Sequence, residues 1–309
     1  IEQSLNKELE GRPGRIRTTS DVKQRVVDQQ IYSDPQPGKS IQLTVDERIQ
    51  YVAEKELAEA VKINRCTTGS IVVMNPHTGE IYGIAAYPSF NPNDPVKPGQ
   101  KMDERANLPV MSPFEPGSVF KVITLTAALE TTKLRPESII PCGNGKMVLF
   151  RRVIHDHNSY AALPMKDVLA KSSNIGAINV GLTVGEEKLK QYVRAFGFGR
   201  PTGLPLPGES PGLLRKKWHP ASIGSVAMGH EILTTTVQLA QACSVIANGG
   251  MLVKPRLVMK RQRPGQEPEE AEKIASPVRI IRPETAITMG QMMKHVIEPG
   301  GTGTSAKLK

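Results

Sequence analysis

The sequence has little cysteine, few aromatic residues and no long apolar run. Its three cysteines, Cys66, Cys142 and Cys243, are an odd number without close pairing, so they define neither a disulfide framework nor a metal-ligand spacing. Cys243 falls in an apolar helical run and is predicted to be a core residue. No run of about 20 apolar residues occurs, which excludes a transmembrane helix within these residues.

Aromatic residues make up only 4% of the chain, although the chain is basic, with a formal net charge of +10. The positive charge is dispersed and no nucleic-acid-binding motif occurs, so nucleic acid is excluded as a partner. An anionic membrane surface or an anionic lipid-linked substrate agrees better with this charge. A basic cluster from Arg12 to Arg25 is predicted to be a solvated face of an extended segment.

What the sequence does contain is a serine one helical turn before a lysine. Pro116 and Gly117 break the chain just before that serine. The residues from Ser118 to Leu129 then carry apolar side chains at helical spacing, which predicts a largely buried helix with Ser118 in its first turn. Because residues at i and i+3 lie on one helical face, the Lys121 amine can reach the Ser118 hydroxyl.

This pair is predicted to be a nucleophile and its base. A serine hydroxyl needs a neighbouring group to take its proton while it attacks a carbonyl carbon. Lys121 can do so only when it is uncharged, and burial in a cleft can lower the pKa of a lysine to about 7–8. The helix N-terminus beside Ser118 adds positive potential and N–H groups that can form part of an oxyanion hole.

A second polar group begins 51 residues after Lys121, at Ser172–Asn174. It supplies a hydroxyl and an amide near a helix–loop junction, within a helical segment predicted for residues 163–182. Two simpler interpretations stay open. Ser118 can be a helix N-cap with a solvated Lys121 behind it, and Ser172–Asn174 can cap a helix end.

Between these two groups lie His155 and His157, a pattern that suggests a metal site. Two histidines one residue apart without further ligands are typical of a loop, so zinc is not expected here.

Several sequence groups, taken in this order, resemble class B penicillin-binding proteins. They are Glu115–Lys121, Ser172–Asn174, Phe196–Gly199, Leu206–Glu209, Ala227–Gly229, Gln238–Ala240 and Ala247–Gly250. The resemblance extends from Gly11 to the C-terminus and is closer to the division-type or sporulation-type branch than to the elongation-type branch.

In that family, an S-x-x-K motif, a serine–asparagine motif and a K-T-G motif form the catalytic centre. The resemblance implies that Ser118 is acylated by a D-Ala-D-Ala stem peptide and that Lys121 is the general base. Ser172 would shuttle a proton toward the leaving amine, and the Asn174 amide would hold the substrate. Ser173 is the variable middle residue and receives no role. No metal or organic cofactor is implied.

The K-T-G motif is missing from the sequence. Gly301–Ala306 lacks the lysine and resembles the glycine-rich stretch just upstream of the K-T-G strand. We therefore expect a fragment of an intact parent enzyme, truncated before the C-terminal sheet strands and inactive by itself. A natural, catalytically dead homologue is the alternative.

The predicted fold class is α+β, the penicillin-binding transpeptidase fold, with an antiparallel sheet flanked by helices and a helical subdomain. Residues 1–40 are predicted to end an N-terminal, non-catalytic, dimerisation-like pedestal module, and residues 41–309 to form the transpeptidase domain. The predicted elements are short strands within residues 1–40, a helix over 44–62, a β-hairpin of 70–75 and 80–87, a long irregular loop over 88–113, helices over 237–247 and 283–296, and an exposed loop over 262–275.

The implied function is a D,D-transpeptidase that cross-links peptidoglycan stem peptides through an acyl-enzyme on Ser118 and is a target of β-lactams. The alternatives are a non-catalytic β-lactam sensor or divisome scaffold, and a D,D-carboxypeptidase or β-lactamase that uses the same serine. The resemblance also implies a single-pass membrane anchor upstream of these residues and a catalytic domain on the periplasmic or extracellular side. Its implied protein partners are membrane proteins of cell-wall synthesis and division, including a glycosyltransferase.

Overall fold

The computed structural model describes residues 1–95, Gly99, 105–271 and 275–307. Its helices are α1 (Glu2–Leu9), α2 (Glu47–Ile63), α3 (Leu108–Met111), α4 (Lys121–Thr131), α5 (Met165–Ala170), α6 (Asn174–Val184), α7 (Glu186–Ala195), α8 (Ser222–Ala227), α9 (Thr236–Ala247) and α10 (Pro283–Ile297). Short 3-10 turns lie at Gly117–Phe120, Gly143–Gly145 and Thr304–Ala306.

The strands pair in antiparallel fashion. They are β1 (Arg15–Ser20), β2 (Val26–Ser33), β3 (Ser40–Leu43), β4 (Gly69–Met74), β5 (Ile81–Tyr87), β6 (Ile139–Pro141), β7 (Lys146–Leu149), β8 (Arg152–His155), β9 (Ala162–Pro164), β10 (Met251–Leu252), β11 (Val258–Gln262), β12 (Glu269–Glu270) and β13 (Val278–Arg279). The pairs are β1 with β2, β4 with β5, β6 with β9, β7 with β8 and β10 with β13, and β11 lies between β3 and β12.

The hairpin β4–β5 confirms the predicted strand pair and is covered on both faces by helices. Successive side chains of a strand point to opposite faces. On one face, an added Cβ at Gly69 would meet the Leu57 side chain of α2 at 2.8 Å, so this helix packs directly on the strand. On the other face, the Ser70 hydroxyl lies 2.6 Å from the Thr236 hydroxyl at the start of α9. The α+β class is therefore confirmed as a sheet flanked by helices.

Helix α2 begins three residues later than predicted. Asp46 is its N-cap and accepts hydrogen bonds from the Arg48 and Ile49 amides at 2.9 and 3.0 Å. The predicted first residue, Thr44, is buried instead and donates its hydroxyl proton to the Ile81 carbonyl at 2.7 Å. Because the Asp46 side chain accepts hydrogen bonds from free N–H groups of the first turn, the helix starts at Glu47.

The helical subdomain packs around α4, whose residues Lys121 to Leu129 are all buried. Helices α6 and α8 approach each other closely at Gly181, where an added Cβ would lie 2.7 Å from the Ala227 side chain. The Thr124 hydroxyl of α4 donates to the Ala227 carbonyl at 3.0 Å, which joins α4 to α8. This close packing positions the start of α4 against the start of α6.

Several predicted elements differ from the observed ones. The segment predicted as one helix over 163–182 contains strand β9 and two helices, α5 and α6, separated at Lys171–Ser173. Helix α4 begins at Lys121, after a 3-10 turn that contains Ser118. The helices predicted at 237–247 and 283–296 are confirmed as α9 and α10.

Three further differences concern local burial and short elements. Cys243, predicted to lie in the core, is exposed on α9. The predicted loop over 262–275 contains strand β12, and the predicted loop over 88–113 contains helix α3. Residues 96–98, 100–104 and 272–274 of these two loops lie outside the described residues.

The N-terminal region contains helix α1, which was not predicted, and the predicted strands β1 and β2, whose residues are all exposed. Glu8 of α1 forms ion pairs with Lys39 at 3.0 Å and with Arg261 of β11 at 3.1 Å. The division between a module over residues 1–40 and a domain over 41–309 stays a prediction. Within the described residues, none of the helices combines the length and the apolar character needed to span a bilayer.

Candidate active site

The amine of Lys121 lies at the centre of the site. Lys121 is the first residue of α4 and its side chain is completely buried. The amine donates to the Ser172 carbonyl at 2.6 Å, to the Ser172 hydroxyl at 3.0 Å and to the Asn174 amide oxygen at 2.8 Å. The structure thus brings together three of the four residues predicted for the site, across 51 residues of sequence.

Burial changes the acid–base chemistry of this amine. Desolvation lowers the pKa of Lys121 to about 8, and the nearby Asp156 carboxylate partly opposes the change. A buried ammonium loses its hydration, so the neutral amine becomes easier to form. A lysine with such a pKa has a substantial neutral fraction near neutral pH and can accept a proton.

Ser118 lies in the 3-10 turn that leads into α4, one turn before Lys121. Gly117 has a φ of +56°, a backbone conformation that glycine adopts without strain and that lets the chain turn sharply just before the serine. The Ser118 side chain is exposed. Among the described residues, its hydroxyl forms no hydrogen bond, with Lys121 or with any other group. The hydroxyl is therefore open to an incoming reactant.

Ser172 connects α5 to α6 in a left-handed conformation, with a φ of +55°. Non-glycine residues rarely adopt this conformation, which is found where the surrounding structure holds the residue in place. Here it directs both the carbonyl and the hydroxyl of Ser172 toward the Lys121 amine.

Asn174 is the first residue of α6. Its amide oxygen accepts from Lys121, and its amide nitrogen donates to the His155 carbonyl at 3.2 Å. The position at a helix start presents this side chain to the cleft rather than to the packed face of the helix.

Two further residues of the site received no catalytic role from the sequence. Ser173, which received no role, is the buried N-cap of α6 and accepts from the Gly176 amide at 2.9 Å. The Asp156 carboxylate accepts from the Ser173 hydroxyl at 2.5 Å and from the Asn174 and Ile175 amides at 2.5 and 3.0 Å. Asp156 therefore anchors the start of α6.

The position of Asp156 had no detectable local signal. It lies 17 residues before Ser173, beyond the range of any capping pattern, and is flanked by the two histidines that suggested a metal. Across the parts of the chain that the structure describes, no group of three or more His, Cys, Asp or Glu side chains is arranged to hold a metal ion.

The fold, with a buried lysine amine one turn after an exposed serine, is that of a penicillin-binding protein transpeptidase domain. A family model for the penicillin-binding protein transpeptidase domain matches residues 69–309. The chain belongs to this family.

Relatives of the chain have names that agree with the family. It is 31% identical to the probable peptidoglycan D,D-transpeptidase PbpC of Pseudomonas aeruginosa, over 99% of this chain and 55% of that protein. It is 31% identical to stage V sporulation protein D of Bacillus subtilis, over 99% of this chain and 48% of the relative. It is 30% identical to the peptidoglycan D,D-transpeptidase FtsI of Escherichia coli, over 100% of this chain and 50% of FtsI. The chain thus spans about half the length of these relatives.

Solved structures give the same result. Penicillin-binding protein 3 of Mycobacterium tuberculosis, complexed with aztreonam, has a TM-score of 0.83 at 26% identity, covering 99% of this chain and 71% of that one. The transpeptidase domain of penicillin-binding protein 3 from Burkholderia pseudomallei has a TM-score of 0.73 at 28% identity, covering 86% and 73%. The predicted transpeptidase fold is confirmed.

Proposed function

We propose that this chain forms much of the catalytic domain of a peptidoglycan D,D-transpeptidase, with Ser118 as the nucleophile. One observation carries the proposal. A completely buried lysine amine, with a pKa lowered to about 8, is held by three oxygen acceptors one turn after an exposed serine. Serine and lysine in this relation form a nucleophile and its base.

In the first half-reaction, the Ser118 hydroxyl attacks the carbonyl carbon of the penultimate D-Ala, and its proton passes to the neutral Lys121 amine. The bond to the terminal D-Ala breaks, and that amine leaves with a proton delivered through the Ser172 hydroxyl, which lies 3.0 Å from Lys121. An ester on Ser118 remains. Ser118 has no bond to Lys121 here, but catalytic hydrogen bonds often shorten only when substrate is bound.

In the second half-reaction, an amine of a neighbouring stem peptide attacks the ester. Its proton returns through the same groups and the Ser118 hydroxyl is regenerated. Asn174 contributes by holding the substrate peptide with its amide while it accepts a hydrogen bond from Lys121. The first N–H groups of the helix start at Ser118 have no intrahelical acceptors and can stabilise the oxyanion.

The names of the relatives support this chemistry, since two of those described above are called peptidoglycan D,D-transpeptidases. A solved structure of the same family is a complex with ampicillin, which supports β-lactams as ligands of this site. A β-lactam would acylate Ser118 by opening its ring. The leaving amine would stay tethered to the acyl group and would not diffuse out of the site, so no acceptor amine could take its place and the acyl-enzyme would persist.

The test is covalent labelling of the full-length protein with a fluorescent penicillin. We expect one label per chain on Ser118, no label in Ser118→Ala, and acylation slowed by about 10²- to 10⁴-fold in Lys121→Ala, because the hydroxyl then lacks its base. Ser112→Ala is the matched control, since Ser112 is an exposed serine of the same segment, and it should label like the wild type. Undiminished labelling of Ser118→Ala would refute the proposal.

The same experiment separates the other possible functions. A label that is released within seconds would indicate a β-lactamase. Stable labelling without release of D-Ala from a stem peptide would indicate a sensor or scaffold, and release of D-Ala with transfer only to water would indicate a carboxypeptidase.

We also propose that the protein acts at the membrane, on its periplasmic or extracellular side, because its substrate lies there. A single-pass anchor, a partner glycosyltransferase and membrane proteins of cell division belong to this proposal, as does a pedestal module that ends near residue 40. The name of FtsI supports cell-wall synthesis, and that of stage V sporulation protein D supports a role in the division-type or sporulation-type branch. Localisation of a fluorescent fusion to division sites would test it.

A further inference from the structure

The segment just before Ser118 is held by backbone hydrogen bonds to a second segment. The Phe114 amide donates to the Thr234 carbonyl, and the Thr234 amide donates to the Phe114 carbonyl, both at 2.9 Å. Three residues further, the Gly117 amide donates to the Gly229 carbonyl at 3.0 Å. The position of Ser118 therefore depends on the turn between these two attachment points.

Glu115 fills the gap between the two attachment points and uses both of its carboxylate oxygens. One oxygen accepts from the Glu231 amide at 2.9 Å, and the other lies 2.8 Å from Nδ1 of His230. The bond with His230 and then the bond with the Glu231 amide lower the pKa of Glu115, so the carboxylate is the favoured form.

The turn that Glu115 holds has an unusual backbone. Glu231 is in the left-handed region, with a φ of 58°, which costs free energy for a residue with a side chain. Gly229 has a φ of +86°, and an added Cβ there would lie 2.1 Å from the Gly117 carbonyl oxygen. The Gly229 and His230 amides hold this turn by donating to the Val226 and Ser225 carbonyls, both at 2.9 Å. Glu115 adds two contacts from outside the turn.

The turn also connects to the opposite side of the site. The Glu231 carboxylate accepts from the Ser222 hydroxyl of α8 at 2.6 Å and lies 3.8 Å from the Arg152 guanidinium of β8. Strand β8 ends one residue before Asp156, whose carboxylate accepts from the backbone N–H of Asn174 at 2.5 Å. A continuous series of contacts thus runs from Glu115 to the residues that face Lys121.

We propose that Glu115 is a positioning residue for acyl transfer, which clamps the turn at His230 and Glu231 and thereby sets the position of Ser118 relative to Lys121 and Asn174. The inference rests on the proposed role of Ser118. Glu115 makes no contact with the reacting atoms in this mechanism. Its effect is expected on the acylation step itself and not on the initial binding of the β-lactam.

The test is stopped-flow acylation of the full-length protein by a fluorescent penicillin, which separates the limiting acylation rate from the initial binding constant. In Glu115→Ala, the limiting rate should fall by about 10- to 100-fold, because small misplacements of a nucleophile have effects of this size. The initial binding constant should change by less than about threefold, since the clamp lies outside the binding contacts.

Glu130→Ala is the matched control. Glu130 lies at the far end of α4, and its carboxylate accepts from the Arg282 amide at 3.0 Å and pairs with the Arg282 guanidinium at 3.4 Å. Like Glu115→Ala, the Glu130→Ala variant therefore loses one hydrogen bond from a backbone amide and one contact with a basic side chain. Its melting temperature should fall at least as much as that of Glu115→Ala, while its limiting acylation rate stays at the wild-type value.

Glu115→Gln gives a second readout that does not depend on the stability of the alanine variant. Its side-chain amide can still accept from the Glu231 N–H and lie against Nδ1 of His230, whereas alanine keeps neither contact. Its limiting acylation rate should therefore stay within about threefold of the wild-type rate, whereas that of Glu115→Ala falls, because the contact with the Glu231 N–H is kept.

A wild-type limiting rate in Glu115→Ala, or a limiting rate in Glu115→Gln as low as that in Glu115→Ala, would overturn the inference. If Ser118→Ala is still labelled by the penicillin, the proposed function is wrong, because another residue is then the nucleophile. If Ser118→Ala is inert and Glu115→Ala reacts normally, only the clamp is wrong.

Discussion

The Asp156 carboxylate accepts a hydrogen bond from the Ser173 hydroxyl at 2.5 Å. This contact joins the end of the β7–β8 hairpin to the N-cap of α6, and it places a negative charge near the buried amine of Lys121. One aspartate thus has two separable effects, on the position of Ser172–Asn174 and on the charge state of the base.

Substitution of Asp156 should separate these effects. In Asp156→Ala, the Ser173 hydroxyl and two backbone amides lose their acceptor, so the free energy of unfolding should fall by about 1–3 kcal/mol. In Asp156→Asn, the loss of the charge that raises the pKa of Lys121 should move the pH profile of acylation toward lower pH. Asp167→Asn, which removes a carboxylate from the neighbouring helix α5, should leave the profile unchanged. A profile that does not move in Asp156→Asn would contradict this account.

The acylation rate should increase with pH through a value of about 8. The reason is that Lys121 accepts the serine proton only in its neutral form, and burial lowers its pKa from 10.5 to about 8. Rates of penicillin acylation measured from pH 6 to pH 9 test this, and a rate that is independent of pH across that range would exclude Lys121 as the base.

The same pKa difference predicts a pH dependence of stability. Between about 8 and 10.5 the unfolded chain keeps a proton on Lys121 that the folded protein has lost, so the free energy of unfolding rises with pH in this window. Lys121→Met lacks the titrating group. The wild type should therefore gain stability relative to Lys121→Met as the pH is raised, and chemical denaturation at the two ends of the window measures the difference. A constant difference would contradict a lowered pKa.

Asn174→Ala should lower the limiting acylation rate while the protein remains folded. The Asn174 amide oxygen is an acceptor of Lys121, so its loss disturbs the base as well as the substrate contact. Asn179→Ala is the control on the same helix, because Asn179 donates to the Pro141 carbonyl at 2.8 Å and lies away from Lys121. A lowered melting temperature with normal acylation in Asn174→Ala would instead show that Asn174 only stabilises the helix start.

Gly229→Ala should reduce acylation strongly, because its Cβ would lie 2.1 Å from the Gly117 carbonyl oxygen and would displace the turn before Ser118. Gly290→Ala, in α10 with no atom within 4 Å of the added Cβ, should stabilise the protein by about 0.5–1 kcal/mol and leave acylation unchanged. Equal acylation by the two variants would show that the contact between Gly229 and Gly117 does not matter for the serine.

The elements with a strong local pattern were predictable from the sequence. The hairpin β4–β5 has β-branched strands around a turn of Pro76–Gly79, and α9 and α10 have helical periodicity with clear stop signals. The spacing of Ser118 and Lys121 placed them one turn apart, and the same spacing is observed. Local propensity and short-range geometry determine features of this kind.

Cys243 shows where a local pattern stops being informative. Helix α9 is apolar around most of its circumference, so periodicity could not show which side meets the protein. The elements that pack against α9 bury Val237, Val245 and Ile246 and leave Cys243 exposed. The burial of one side chain is a property of the packed assembly, not of the helix alone.

By itself, the sequence determined the kind of fold, the spacing of Ser118 and Lys121 and the family resemblance, because short patterns of residues encode each of them. Only the tertiary structure decided that Ser172 and Asn174 meet the Lys121 amine and that Asp156 anchors them. It also decided that Glu115 holds the turn at His230 and Glu231. These contacts join residues that are 17 to 116 positions apart, and no local pattern encodes them. The contacts around Lys121 form because close packing of α4, α6 and α8 excludes water, so the buried amine finds its acceptors within the protein.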